Sequence, residues 1–285
     1  MPKLYLAHTL FPAHIMKSRA KIIAVLALSG LLGACSGQKP TVTTANIAAV
    51  KPQPRNLTNR TMYNIPPFRL PGQWTVGDIL QTYGADVKGK LGYYFAKAKV
   101  PYPPREATLI ALKQEKKLEL WARDSGGFRF IRDYYILAAS GVAGPKLRQG
   151  DRQVPEGIYR IEELNPNSHY HLSMKINYPN EFDIFHAQQE GRTDLGSDIF
   201  IHGKTASIGC LAMGDEAIKE LFVLTAQIGV QNVKVVIAPH DPRIYPLKVE
   251  ADTEEFPEWI PELYAIISRE IGALPPVMKS AKTGL

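Results

Sequence analysis

The stretch Ser197–Ile218, SDIFIHGKTASIGCLAMGDEAI, decides the fold. Its DIFIHG segment reads as the end of a strand, and KTASIG as a polar, glycine-containing loop. Asp215 then reads as the N-cap of a helix whose Ile218, Leu221, Phe222, Thr225 and Ile228 share one face, with Gly229 placed to end it. His202 and Cys210 stand eight residues apart across this strand and loop, each beside a glycine. Cys210 has four readings: a buried small apolar residue, half of a disulfide, a metal ligand, or a nucleophile with His202 as its base.

The chain has 285 residues and only one other cysteine, Cys35. That residue ends MKSRAKIIAVLALSGLLGAC, in which Lys17, Arg19 and Lys21 precede an uncharged apolar run, too short to span a bilayer comfortably. This is a secretion signal, and Leu32, Gly33, Ala34 and Cys35 resemble the lipobox of bacterial lipoproteins. The resemblance implies cleavage before Cys35, lipid on its sulfur and amine, and a periplasmic domain anchored to the outer or inner membrane; Ser36 resembles the outer-membrane sorting signal. Met16 is the expected start, because the fifteen residues before it add nothing to such a signal.

Loss of residues 1–35 removes Lys3, Lys17, Arg19 and Lys21 and no acid, so 30 basic residues face 27 acidic ones and the formal net charge falls from +7 to +3. No basic stripe with interleaved aromatics accompanies this balance. A nucleic-acid partner is therefore not expected.

Five segments follow from composition: the signal at 1–35, a polar tether at 36–56, a helical lead-in at 57–105, a mainly β domain at 106–246 and a helical extension at 247–285. In the lead-in, Val87, Leu91, Tyr94, Phe95 and Ala98 keep helical spacing, and VPYPP at Val100–Pro104 closes it. Period-two alternation then takes over at Leu118–Ala122, Leu172–Ile176 and Val233–Ile237. Phe128–Ala138 and Gly157–Leu164 are further strands, and Gly126–Gly127 a hairpin turn. A last helix, near Glu258–Ile271, carries Trp259, Leu263, Ile266 and Ile267 on one side.

With Cys35 lipidated, Cys210 has no partner for an intramolecular disulfide. His169, His171, His186, His202 and His240 show no paired ligand spacing with a second cysteine, and no metal is expected. A buried hydrophobe and a nucleophile remain open. The nucleophile has a physical basis: His202 could take the thiol proton and leave an ion pair, while Gly209 and Cys210 offer backbone N–H groups to an oxyanion.

Three blocks, GPKLRQGDRQVPEGIYRI (Gly144–Ile161), DIFIHG (Asp198–Gly203) and SIGCLAM (Ser207–Met213), resemble the L,D-transpeptidases with a YkuD-type catalytic domain, most closely the YafK-like branch of periplasmic enzymes. The resemblance covers about Glu106–Pro246. It implies a mainly β fold, a β-sandwich with one or two helices preceded by the helical lead-in. It also implies Cys210 as nucleophile, His202 as proton donor and acceptor, the Gly203 carbonyl orienting the imidazole, and no cofactor.

The implied reaction is acyl transfer on peptidoglycan stem peptides, in cell-wall biogenesis or remodelling, with a second stem or a lipoprotein lysine as acceptor. The alternatives are a hydrolase releasing protein or cross-links from the same site, and a non-catalytic wall-binding module. Substrate contacts are expected from Ser207, Lys204, Lys146 and Arg148, with Arg152 as a further cation, because such groups suit stem carboxylates. Asp151 and Glu156 read as turn residues. Two positions depart from the broad family: Ile208 stands where it has a second histidine, and Ala212 where it has an arginine or similar polar residue.

Overall fold

The computed structural model describes residues 72–248 and 257–276. The signal, Cys35, the tether and the start of the lead-in lie outside the described residues. Among the described residues no helix is long and apolar enough to cross a membrane.

The described residues open on α1 (Val76–Ala98), which starts where Thr75 and Asp78 cap each other: Thr75 Oγ1 accepts the Asp78 amide at 3.1 Å, and the Asp78 carboxylate accepts the Thr75 amide at 2.9 Å. Ile79, Val87, Leu91 and Phe95 form its buried face, so three of the five periodic residues read from sequence are the ones fully buried. Lys99, in the left-handed region at φ 58°, ends the helix before the prolines.

Nine strands follow among the described residues: β1 (Glu106–Leu112), β2 (Lys117–Arg123), β3 (Arg129–Tyr135), β4 (Ala138–Ala139), β5 (Gly157–Asn165), β6 (Ser173–Ile176), β7 (Phe200–His202), β8 (Leu211–Ala212) and β9 (Val233–Ala238). They form one curled sheet in the order β3-β2-β1-β9-β5-β6-β7-β8-β4. Two pairs are parallel, β1 with β9 and β7 with β8; the others are antiparallel. The mainly β class, with a helix ahead of the strands, is as the sequence predicts.

Strand alternation splits the apolar residues between two cores. Leu109, Ala111, Leu118, Leu120, Val235 and Ile237 pack with α1 and with α3 (Asp215–Ile228), joined by Tyr159, Met174, Ile201 and Leu211 from the strands beyond β9. Their neighbours Ile110, Leu112, Trp121, Val236 and Ala238 face α4 (Ile260–Gly272), which covers them with Ile260, Leu263, Tyr264, Ile267 and Ile271. β1 is thereby buried on both faces, as a strand in parallel pairing normally is. Ile266, read onto the apolar side of that helix, is only partly buried, and Tyr264 takes its place.

Two local readings are corrected. Gly214, at φ 79°, is the N-cap of α3 and Asp215 is its first residue; the Asp215 carboxylate turns away from the helix to accept the Lys204 amide at 2.8 Å. A helix missed by periodicity, α2 (Glu181–Gln189), buries Asp183, His186 and Ala187 while Ile184 and Phe185 stay exposed, so it has no apolar face to detect; Asn180 and Asp183 start it with a second capping box.

Candidate active site

β7 ends at His202 and β8 begins at Leu211, with Ile201 opposite Leu211 and His202 opposite Ala212. One step back along this register sets Cys210 against Phe200, whose amide donates to Sγ at 3.4 Å. Residues two apart on a strand project to one side, so Phe200 and His202 do so here. The register therefore brings thiol and imidazole to the same end of the same strand pair. Cys210 is half-buried and is the only free cysteine among the described residues.

His202 is only 3 % exposed, and its Nδ1 lies 2.6 Å from the carbonyl oxygen of Gly203. A carbonyl can only accept, so Nδ1 carries the proton and Nε2 keeps the lone pair that can act as a base. The Tyr170 ring covers the imidazole at a centroid distance of 4.5 Å. Gly203 is required where it stands: a Cβ would lie 2.6 Å from the Tyr170 carbonyl oxygen and 2.7 Å from the Asp215 carboxylate.

Electrostatics bears on the pairing of the two groups. Burial pushes the Cys210 thiol up, Asp198 adds to that, and the Phe200 amide and Lys146 only oppose it; burial also holds His202 below the ordinary histidine range, against the pull of the Gly203 carbonyl. Both shifts favour the neutral forms. Both directions oppose the ion pair read from sequence.

The loop between them is held by hydroxyls. Ser207 Oγ donates to the Cys210 carbonyl at 2.6 Å and accepts the Cys210 amide at 3.1 Å. Gly209, at φ 107°, donates its amide to Ser140 Oγ at 2.6 Å, and the two serine oxygens are 3.4 Å apart. Ser207, expected from sequence to contact substrate, bonds in this structure to the backbone of Cys210. The amides of Gly209 and Cys210, read as oxyanion donors, are both engaged by serine oxygens in this state.

The cations are sorted as clearly. Lys146 is 6 % exposed and donates to Asp151 at 2.6 Å and to the Arg148 carbonyl at 2.8 Å inside the β4–β5 loop, while its charge also acts on the Cys210 thiol. Asp151 is the turn residue expected, accepting the amides of Leu147, Arg148 and Gln153. Glu156 is not: it is fully buried and pairs with Lys113 at 2.9 Å. Arg148 and Arg152 are exposed on this loop, and the Arg152 backbone lies 4.0 Å from where a Gly209 Cβ would stand. Lys204 is exposed, with its ammonium on the His169 carbonyl and 6.0 Å from the centre of the Tyr170 ring.

Ile208 is 72 % exposed, and Ala212 is fully buried, paired in the sheet with His202 and Ala138. Sequence reasoning missed Ser140, Gln153 and Tyr170. Gln153 spans the β4–β5 loop with bonds to Val142 and Gly144, and its carbonyl packs on Gly209. Ser140 lies just ahead of the Gly144–Ile161 block, and Tyr170 lies in HYH between two strands. No periodicity marks either. Among the described residues no group of three His, Cys, Asp or Glu side chains is gathered to hold a metal ion.

A family model described as the L,D-transpeptidase catalytic domain, YkuD, matches residues 89–237. "Putative L,D-transpeptidase YafK" of Escherichia coli (strain K12) is 35 % identical over 132 residues, 45 % of this chain and 51 % of that protein, and its counterpart in Escherichia coli O157:H7 matches equally. The chain therefore spans about half the length of the curated relatives it matches. Among solved structures, the helical cell shape determining protein Pgp2 of Campylobacter jejuni is similar with a TM-score of 0.39, 22 % identity and coverage of 52 % of this chain and 55 % of that one. Bd1075 of Bdellovibrio bacteriovorus gives 0.35, 25 %, 48 % and 49 % in the same terms. L,D-transpeptidase 1 of Mycobacterium tuberculosis gives 0.28, 12 %, 47 % and 62 %.

Proposed function

Because the chain belongs to the L,D-transpeptidase catalytic domain family, whose model matches residues 89–237, we propose that it is a cysteine-dependent L,D-transpeptidase acting on peptidoglycan stem peptides in cell-wall biogenesis or remodelling. The observation that carries the reading is the bond from His202 Nδ1 to the Gly203 carbonyl, which leaves Nε2 basic at the end of the strand pair that also carries the only free thiol among the described residues.

In the proposed reaction His202 Nε2 takes the proton of Cys210 as Sγ bonds to the carbonyl carbon of the diamino acid in the stem. The resulting oxyanion calls on the amides of Gly209 and Cys210, whose serine partners must yield to it. When the tetrahedral species collapses, the C–N bond breaks, the imidazolium returns its proton to the departing amine, and a thioester remains on Cys210. An acceptor amine, from a second stem or a lipoprotein lysine, loses its proton to His202 and displaces the thiolate, which recovers a proton. Water in place of the amine makes the same site a hydrolase.

A lipid on Cys35 and a periplasmic, membrane-anchored location belong to the proposal and rest on sequence alone. The test is to incubate the protein with defined tetrapeptide and protein-linked muropeptides, with and without an added amine, and weigh the products. Amine adducts support transfer; free acids alone replace it with hydrolysis; intact substrate in every arm, with wall fragments bound equally well by Cys210→Ala, would leave a non-catalytic binding module.

A further inference from the structure

Cys210, just ahead of β8, stands at the end of a row that runs across the sheet. Phe200 lies beside it on β7, Lys175 opposite Phe200 on β6, and Glu163 opposite Lys175 on β5. Residues paired in this way project to one face of a sheet, so the thiol and the Lys175 side chain share a face, two strands and about 10 Å apart at their Cα atoms. Asp198 bridges that gap. Its carbonyl oxygen lies 3.9 Å from Cys210 Sγ, and its carboxylate accepts the Lys175 ammonium at 3.0 Å.

The pair is open to a ligand: the side chains are 26 % exposed at Lys175 and 65 % at Asp198. A solvated pair of this kind adds little to stability. The hydrogen bond between the two holds the Asp198 carboxyl below its ordinary range and the Lys175 ammonium above its own, so both are charged at neutral pH. Each keeps capacity for a further partner, because an ammonium has three donors and a carboxylate two acceptor oxygens.

The surrounding charges select the ligand class. Glu162 and Glu163, both exposed, also act on Lys175, so with Asp198 three carboxylates face one ammonium and an isolated anion is disfavoured. A ligand end that carries an ammonium and a carboxylate on one carbon meets Asp198 with the first and Lys175 with the second, closing a ring of four alternating charges. A diamino dicarboxylic acid ends in such a group, five bonds or roughly 6 Å from its other carboxyl carbon. Resting on the reading of Cys210 as the nucleophile that takes a stem peptide, we propose that Asp198 and Lys175 form the donor side-chain subsite. They hold the free ammonium and carboxylate of a diamino dicarboxylic acid while its other carboxyl carbon lies at Cys210.

Two measurements on the full chain test it. Acylation of Cys210 is followed by intact mass with a donor tetrapeptide and no acceptor, so that only donor recognition is read. Three donors differ at the third residue: meso-diaminopimelate, L-lysine, which lacks the carboxylate, and L-norleucine, which lacks both charges. The rate is expected to fall about five-fold at each loss. Lys175→Met is expected to close the first gap and Asp198→Asn the second; each gap is a ratio between donors on one protein, so a change in the thiol itself cancels. Equal rates for the three donors, or a gap that survives its substitution, overturn the subsite and leave the catalytic proposal standing. Calorimetric binding of the same donors to Cys210→Ala separates the two claims. The same order of affinities, with no donor acylating the unaltered chain, keeps the subsite and removes the catalytic reading; no acylation and no order of affinities overturn both.

Discussion

Ser207 Oγ joins both ends of one residue, accepting the amide of Cys210 at 3.1 Å and donating to its carbonyl at 2.6 Å. This fixes the orientation of the peptide that carries the nucleophile. Ser207→Ala loses two such bonds, each worth about 1 kcal/mol net. It is expected to lower kcat/KM about ten-fold by letting that peptide rotate, with Ser207→Thr keeping most of the activity. Steady-state kinetics on the three proteins decide it; equal losses in Ala and Thr would place the cause elsewhere.

Ser140 reaches the same loop from the end of β4, and its oxygen occupies the Gly209 amide at 2.6 Å. If that amide serves the oxyanion, Ser140 competes with the substrate for it. Ser140→Ala is expected to speed thioester formation about five-fold, the value of one neutral hydrogen bond no longer displaced. The check is single-turnover acylation beside alkylation by iodoacetamide, which needs no oxyanion donor. A fall in both rates would show that Ser140 supports the loop instead.

The pH profile follows from two shifts of opposite sign. His202 lies below its ordinary value of about 6.5, so it stays a neutral base as pH falls to that value and is lost as a base only below it. The thiol lies above its ordinary value, so it stays protonated through neutral pH. The expected kcat/KM is flat through neutrality with an acid limb below the histidine range. Alkylation of Cys210 in the absence of substrate is expected to be slow at pH 7 and to rise on the alkaline side. Fast alkylation extending to acid pH would reveal the ion pair that burial disfavours.

Lys113 and Glu156 form a buried pair, 7 % and 0 % exposed at their side chains, that holds Gly144 and Val154 in the β4–β5 loop through bonds from Lys113 Nζ at 3.1 Å. Lys113→Met strands the carboxylate and is expected to cost about 3–5 kcal/mol of stability. Urea unfolding measures it. A loss under about 1 kcal/mol would mean that the loop is held by other contacts, since truncating one partner of a buried pair is normally far more costly.

How much of this was legible in sequence depended on whether a residue's partner was local. The β class and α1, α3 and α4 could be read because their apolar residues repeat at 2 or 3.6; α2 could not, because Asp183 and His186 are buried while Ile184 and Phe185 are exposed. His202, Gly203 and Cys210 stand within one short stretch, and β7 and β8 bring their ends together. Ser140 acts on Gly209 across 69 positions and Tyr170 covers His202 where β6 pairs with β7, on the far side of α2 in sequence, contacts that no local pattern encodes. Lys146 is a different case: its partner Asp151 is only five positions away, yet no periodicity marks that pairing.

The most direct measurement is the intact mass of the protein mixed rapidly with a disaccharide tetrapeptide. A transient adduct on Cys210, equal to the donor less its terminal D-alanine, is expected, lost in Cys210→Ala and slowed about a hundred-fold or more in His202→Ala. Product formed by Cys210→Ala at the rate of the unaltered chain, or turnover without any adduct on Cys210 under conditions where the thioester should accumulate, would contradict the account.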